Sequence, residues 1–329
     1  MIQELNEQTP LNLPEPLPFP FNQRTYCRYE RIEQRIEAAR VLVVNDLLHD
    51  ESDLSEVAHR EWGKQAAAHI AQEQHIASLA IDNILGNVRR LVRHPVTEVA
   101  HLSEVSQAVE SFRPDAIVLS GTLSDFDYYN SAMIEDFARF IRVTQIPVLG
   151  ICGGHQLIGL CFGARIVTLD HREAHELRAN RSFEYQYRFV RITGPEDPIF
   201  RGIHDHESGL WQDYTTEGRI LRVWQNHGLQ LDRIPEGFES LATAYLCKNQ
   251  MMVKRSEGQL IYAVQFHLEK SFQDLTQRNP APQDPNYRRT LREEASKRTR
   301  WAHMNESRDG RVLFENFLLE ALKHQERAA

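Results

Sequence analysis

Three short runs of consecutive apolar residues constrain this chain most: Val41-Leu42-Val43-Val44, Ala116-Ile117-Val118-Leu119 and Val148-Leu149-Gly150-Ile151. A strand with no polar residue on either face needs cover on both, which is the mark of a parallel strand lying between two layers of helix. The segments between the runs supply those helices. A polar stretch from Ser55 to Gln74 reads as helical. Ile81, Ile84, Leu85, Val88, Leu91 and Val92 fall at helical spacing, with Pro95 as the expected stop. Val105, Ala108, Val109 and Phe112 mark a short helix; Ile134, Phe137, Ala138 and Ile141 mark another, and His155 to Phe162 a third. The alternation predicts an α/β fold: a mostly parallel, open sheet flanked by helices.

The second half predicts a smaller antiparallel region. Tyr187–Ile192, Ile220–Trp224, Leu241–Leu246, Met251–Lys254 and Leu260–Phe266 are short strand candidates. Residues 273–287, rich in Pro, Asn, Asp and Gln, read as a loop. A charged helix is expected over 288–301, and an amphipathic one after Gly310 with Val312, Leu313, Phe317, Leu318 and Leu322. At the other end, Pro10, Pro14, Pro16, Pro18 and Pro20 mark residues 1–38 as an arm. It is either docked on the body or a partner, or disordered. The body then spans 39–325.

With 38 Lys and Arg against 46 Asp and Glu, the net charge is −8, which argues against nucleic acid as the main partner. No apolar run approaches the length of a membrane span, and the N-terminus lacks the basic start and apolar stretch of a secretory signal. The four cysteines, Cys27, Cys152, Cys161 and Cys247, form neither a CxxC pair nor a disulfide framework, so a reducing, cytoplasmic setting is expected.

Cys152 stands apart from the other three. It sits in Gly150-Ile151-Cys152-Gly153-Gly154-His155-Gln156, between a strand and a helix. Small neighbours allow a sharp, strained turn that exposes the sulfur at the carboxyl edge of the sheet. The helix N-terminus there favours a thiolate and can hold an oxyanion. A nucleophile needs a base, and the base an orienter. Val264-Gln265-Phe266-His267-Leu268-Glu269 supplies both, because His267 and Glu269 project to one side of an extended chain.

GICGGHQ followed by VQFHLE resembles the class I glutamine amidotransferases, the triad glutaminase domains. IVLSG resembles the family's oxyanion strand. QNHGLQLD is similar to the QNHG segment in the small subunit of carbamoyl-phosphate synthetase and its relatives, and IPEGFESLA matches a strand lead-in of the family. The domain also resembles the GMP synthase amidotransferase domains. The resemblance covers roughly 40–270, with 310–319 similar to the closing helix. It implies a flavodoxin-like fold, with Cys152 as nucleophile, His267 as general base then acid, and Glu269 as orienter. It further implies an oxyanion hole at Gly153 with Gly121 and Thr122, and glutamine contacts at Gln156, Gly228 and Leu229. The reaction implied is thiolate attack on the γ-carboxamide, loss of ammonia, and hydrolysis of a γ-glutamyl thioester. That chemistry needs no metal and no cofactor.

Two departures stand out. Leu268 replaces the family's proline, which is expected to leave Glu269 looser. Thr122 replaces a glycine, and a Cβ there would disfavour a positive φ. Insertions are read at about 50–78 and 271–308, both able to touch a partner. His155 is expected to pack under the turn, and His227 to serve structure or the substrate. His171 and His175 stand four apart, and His204, Asp205, His206 and Glu207 cluster, as surface polarity rather than a metal site. Asp125 and Asp127 either line the pocket mouth or form a polar turn. Neither a GxxxxGK[ST] loop nor an SGGxDS loop occurs, so ammonia would pass to a separate synthetase or ligase, or be released. Two other readings stay open: a γ-glutamyl amine or peptide hydrolase, and a catalytically weak binding or regulatory homologue.

Overall fold

The computed structural model describes residues 33–176, 178, 180–203, 220–256, 258–270 and 309–328. The arm up to residue 32, the His204–Glu207 cluster, and the second insertion with its basic helix lie outside the described residues.

Among the described residues, the apolar runs lie side by side in one nine-stranded sheet, one strand in from its edge. Strand β1 (Ile36–Asn45) pairs in parallel with β2 (Val92–His101) on one side and β3 (Ala116–Leu119) on the other; β4 (Val148–Ile151) follows β3. Beyond β4 comes β11 (Ile261–Val264), still parallel, and then β10 (Met251–Lys254), β9 (Glu239–Thr243), β6 (Glu184–Ile192) and β7 (Ile220–His227), all antiparallel. The antiparallel region therefore continues the parallel sheet. A separate pair joins β5 (Ile166–Thr168) to β8 (Leu229–Leu231).

Alternation along the strands explains why the runs are wholly apolar. Val41 and Val43 pack on one face with Ile81, Ile84 and Val88 of helix α2 (Ala66–Leu91) and with Phe314 and Phe317 of the closing helix α6 (Asp309–Ala328). Leu42 and Val44 pack on the other face with Phe112 of α3 (Val105–Phe112), Phe137 of α4 (Ser131–Val143) and Leu157 of α5 (Gly153–Cys161). Each such side chain, fully removed from water, contributes about 1.5–3 kcal/mol.

Several expectations shift. A short helix α1 (Glu56–Trp62) precedes α2, and α2 then runs unbroken for 26 residues across the boundary read at 78, so the first insertion and the sheet-packing helix are continuous. Pro95 does not stop that helix, which ends at Leu91; Val92 is already extended, and Pro95 lies inside β2. Strand β2 is at the sheet edge, the one place where a residue without an amide donor fits a strand; Val96 and Val99 there are each 47% exposed. Strand β1 begins at Ile36, two residues before the boundary read at 38. Strand β9 ends at Thr243, not 246, because the Ala244 amide donates to the Cys247 carbonyl at 2.9 Å and closes a turn. His171 and His175 lie in turns, so the helical face that would have paired them does not form.

Candidate active site

The pairing of β4 with β11 builds the site. Val264 is registered against Ile151, and the Cys152 amide donates to the Val264 carbonyl at 2.8 Å. Both strands therefore end side by side at the carboxyl edge of the sheet, where open α/β folds hold ligands. The segment after each strand faces the other.

Cys152 has φ 52° and ψ −101°, a conformation that strains any residue with a Cβ. The neighbours explain how it is held. A Cβ on Gly154 would lie 2.8 Å from Leu119 Cβ and 2.9 Å from the Ser120 carbonyl oxygen; the Gly154 amide donates to that oxygen at 3.0 Å. A Cβ on Gly153 would lie 2.3 Å from Thr122 Oγ1 and 2.4 Å from Thr122 N. The turn and the loop at 121–122 are thus in direct contact, with no room for a side chain between them. Neither Gly121 nor Thr122 has a positive φ. The threonine carries no left-handed strain, contrary to the expectation.

His267 approaches from the β11 side. Its amide donates to the Trp224 carbonyl at 2.8 Å, and its Nδ1 bonds Glu269 Oε1 at 2.8 Å. The imidazole also lies close enough to Cys152 for the thiol to raise its pKa. A Cβ built on Gly121 would touch both groups, 3.4 Å from His267 Cε1 and 3.5 Å from Cys152 Cβ, so the three converge on one point. Burial, and Lys270 nearby, push the imidazole pKa down, but Glu269 and Cys152 outweigh them and raise it to about 9. Burial likewise opposes ionisation of Glu269, yet the His267 charge and hydrogen bond hold its carboxyl below the usual range.

Glu269 is not loose. Leu268, in the position of the missing proline, is 3% exposed in the core. Gly310 of α6 rests on it so closely that a Cβ would meet the Leu268 carbonyl oxygen at 2.8 Å. Asn87 of α2 donates to the Glu269 carbonyl at 2.8 Å. Packing from two helices supplies the stiffness that a proline ring would have given.

Gln265 is the residue that sequence reading passed over. Its Nε2 points to Cys152 Sγ at 3.7 Å, and its Oε1 accepts from Gln156 Nε2 at 3.1 Å. The signal was present: Gln265, His267 and Glu269 stand two apart, the spacing that places side chains on one side of an extended chain. Gln156 Nε2 also donates to the Leu229 carbonyl at 3.0 Å. That carbonyl further takes the His227 Nδ1 hydrogen at 2.9 Å. Gln156 and Leu229 therefore bond each other within the site. Gly228 lies under the stem of Arg181 and the ring of Phe183, which would be 2.8 and 3.1 Å from a Cβ there. Arg181 is clamped by Asp125 through two bonds, at 2.8 and 2.6 Å, and Arg178 reaches both Asp125 and Asp127. The two aspartates thus tie the segment after β5 to the loop after β3. His155 is fully buried, and burial drives its pKa down to about 3, so it packs as a neutral ring. Cys161 and Cys247 are buried and unpaired. Among the described residues, no helix is long and apolar enough to cross a membrane.

Comparison with known proteins gives the family. A family model described as glutamine amidotransferase class-I matches residues 79–281, more than half of the 329. The glutamine-hydrolyzing GMP synthase of Ralstonia pickettii is 33% identical over 192 residues, covering 55% of this chain and 30% of that protein. A glutamine-hydrolyzing GMP synthase subunit of Thermococcus kodakarensis is 31% identical over 165 residues, 50% of this chain and 70% of that one. The match thus spans about 30% of the bacterial relative's length. The crystal structure of a putative GMP synthase subunit from Thermoplasma acidophilum superposes with a TM-score of 0.51 at 20% identity, over 88% of this chain and 97% of that one, and shows the shared fold. A thiol on a strained strand-to-helix turn, an imidazole brought beside it by the neighbouring strand, and a family model across that very region make this chain a member of the class I glutamine amidotransferases.

Proposed function

We propose that the chain hydrolyses the side-chain amide of glutamine, with Cys152 as nucleophile, His267 as acid and base, and Glu269 as its orienter. The observation that carries this is the Glu269–His267 hydrogen bond beside Cys152, with the imidazole raised to about 9. At neutral pH that imidazolium holds a proton, and the sulfur beside it attacks the γ-carbonyl as thiolate. The C–N bond breaks as the imidazolium gives its proton to the leaving nitrogen, releasing ammonia. Neutral His267 then takes a proton from water, whose oxygen attacks the γ-glutamyl thioester, and glutamate leaves with the thiolate restored. Amides at Gly153 and the Gly121–Thr122 loop would hold the tetrahedral oxyanion. Gln156, Gly228 and Leu229 would line the end of the site that takes the amino-acid part of glutamine. Gln156 serves it by fixing Gln265 and the Leu229 carbonyl.

The named relatives are synthases, so the ammonia is proposed to reach a separate protein that activates its acceptor. Both features that favoured a weak homologue, Thr122 and Leu268, are accommodated without strain or looseness. The test is the full chain given glutamine, with glutamate and ammonia measured in equal amounts. Cys152→Ala should abolish both products. Activity that survives the change, or faster turnover of γ-glutamyl amines than of glutamine, refutes this assignment.

A further inference from the structure

A second group of buried side chains is not used by the proposed reaction. Glu184 at the start of β6, His227 at the end of β7 and Cys247 in the turn after β9 place one oxygen, one nitrogen and one sulfur within 4.8 Å of one another, all buried. Glu184 and His227 are opposite each other in the β6–β7 ladder, and the turn after β9 brings Cys247 to that pair.

The imidazole gives the group its direction. His227 Nδ1 faces the Leu229 carbonyl at 2.9 Å, and a carbonyl only accepts, so Nδ1 carries the hydrogen. Nε2 is the ring nitrogen left to face Glu184. It lies 3.1 Å from Glu184 Oε2 yet has no hydrogen-bond partner, and the side chain is only 2% exposed. A buried carboxylate facing an imidazole nitrogen needs a cation between them, and either a proton on Nε2 or a metal ion can serve. The surroundings match what metal sites provide. A ligating imidazole usually donates its other N–H to a carbonyl, and ligating carboxylates are themselves hydrogen-bonded; here Gln250 Nε2 donates to Glu184 Oε2 at 3.0 Å.

We propose that Glu184, His227 and Cys247 bind a zinc-type divalent cation through one carboxylate, imidazole Nε2 and one thiolate, with a fourth position open. Tetrahedral zinc sets its ligands roughly 3.3–3.8 Å apart, so separations of up to 4.8 Å have to close by roughly 1–1.5 Å while the 3.1 Å Nε2–Oε2 pair opens slightly. Charge balances as well: the dication neutralises one thiolate and one carboxylate, and binding sends the thiol proton to solvent. Without a cation, burial pushes the Cys247 thiol well above its ordinary range, with Glu184 adding to the effect. The donor set of sulfur, nitrogen and oxygen selects zinc or cobalt over magnesium or calcium.

Cobalt(II) titration of the purified full chain tests this without any reading of catalysis. A thiolate-to-cobalt charge-transfer band in the near ultraviolet should rise to one equivalent and be displaced by zinc. The band should persist in Cys152→Ala, which removes the catalytic thiol as a competing ligand. It should vanish in Cys247→Ser, and affinity should fall about tenfold or more in His227→Gln and Glu184→Gln. Where Cys247→Ser fails to fold, as judged by circular dichroism, the other two variants decide by the same criterion. No band at equimolar cobalt, a band that survives Cys247→Ser, or unchanged affinity in both remaining variants overturns the site.

Discussion

Glu269→Gln isolates what the carboxylate does for the imidazole. The change keeps shape and an acceptor for Nδ1–H but removes the charge. In the native site, burial and Lys270 lower the His267 pKa, and Glu269 and Cys152 raise it to about 9 against an ordinary 6.5. That net difference corresponds to about 3 kcal/mol at about 1.4 kcal/mol per unit, which is what Glu269 and Cys152 leave in favour of the protonated form after burial and Lys270 have lowered it. With Glu269 neutral, the two lowering influences face Cys152 alone, and the imidazole pKa should fall below 6.5. Two readouts follow. In histidine-labelled protein, the NMR titration of His267 should move from the alkaline to the acid side of neutrality. Glutamine turnover at neutral pH should drop by on the order of 10²–10⁴-fold, since the proton for the leaving nitrogen is no longer held.

The same variant has a stability signature whose sign can be worked out. His267 is raised in the folded state, so its contribution is full below about 6.5 and is lost as pH rises through about 9. Glu269 is lowered, so its contribution is present above about 4.5 and is lost as pH falls through its folded value. The Tm gap between wild type and Glu269→Gln should therefore be widest between about pH 4.5 and 6.5 and close above pH 9. A His267 titration unchanged by the substitution, or a gap that grows with alkalinity, refutes the account of the ion pair.

Other perturbations follow from single contacts. Cys152→Gly should melt higher than Cys152→Ala by about 1 kcal/mol, read by thermal unfolding, because only glycine sits at φ 52° without strain. Asn87→Ala removes donors to the Asn83 and Glu269 carbonyls and should cost about 1–3 kcal/mol, with a lower kcat from a less fixed orienter. Glu73 of α2 is buried against the Ser124 hydroxyl, and burial raises its pKa from 4.5 to about 7, so its stabilising neutral form is lost as pH climbs through that value. Glu73→Gln should then gain on wild type from pH 4.5 upward, reaching about 3 kcal/mol at most above pH 7 in denaturant titrations.

The parallel half of the fold was legible because buried strands leave unmistakable apolar runs, and Cys152, His267 and Glu269 could be singled out as candidates because the proposed chemistry demands those residue types at turns and strand ends. What escaped notice had physical causes. Strand β2 carries Pro95 and exposed valines, and nothing local separates an edge strand from a loop. The first insertion looked detachable because its polar face dominates the pattern, although Ile70 and Ala77 carry the buried stripe of α2 through it. Thr122 and Leu268 were read as weaknesses because a sequence shows which residue is replaced but not what packs against the replacement. Gln265 was visible in period two but was overshadowed by the histidine beside it.

The register of β11 on β4 is the physical link between these pieces. A shift of one residue in that pairing would turn Tyr262 and Val264 to the opposite face and carry His267 away from the sulfur. It is held because Tyr262 and Val264 pack with Phe314 and Phe317 while Ile261 and Ala263 pack with Leu157 and Ile158. The same helix that buries this face, α6, sets Gly310 against Leu268. Core packing and site geometry are thus one constraint, read from opposite ends of the strand. A larger residue at Gly310 should consequently harm catalysis and stability together; measuring kcat and Tm for Gly310→Ala tests this, and a lowered Tm with kcat unchanged would break the link argued here.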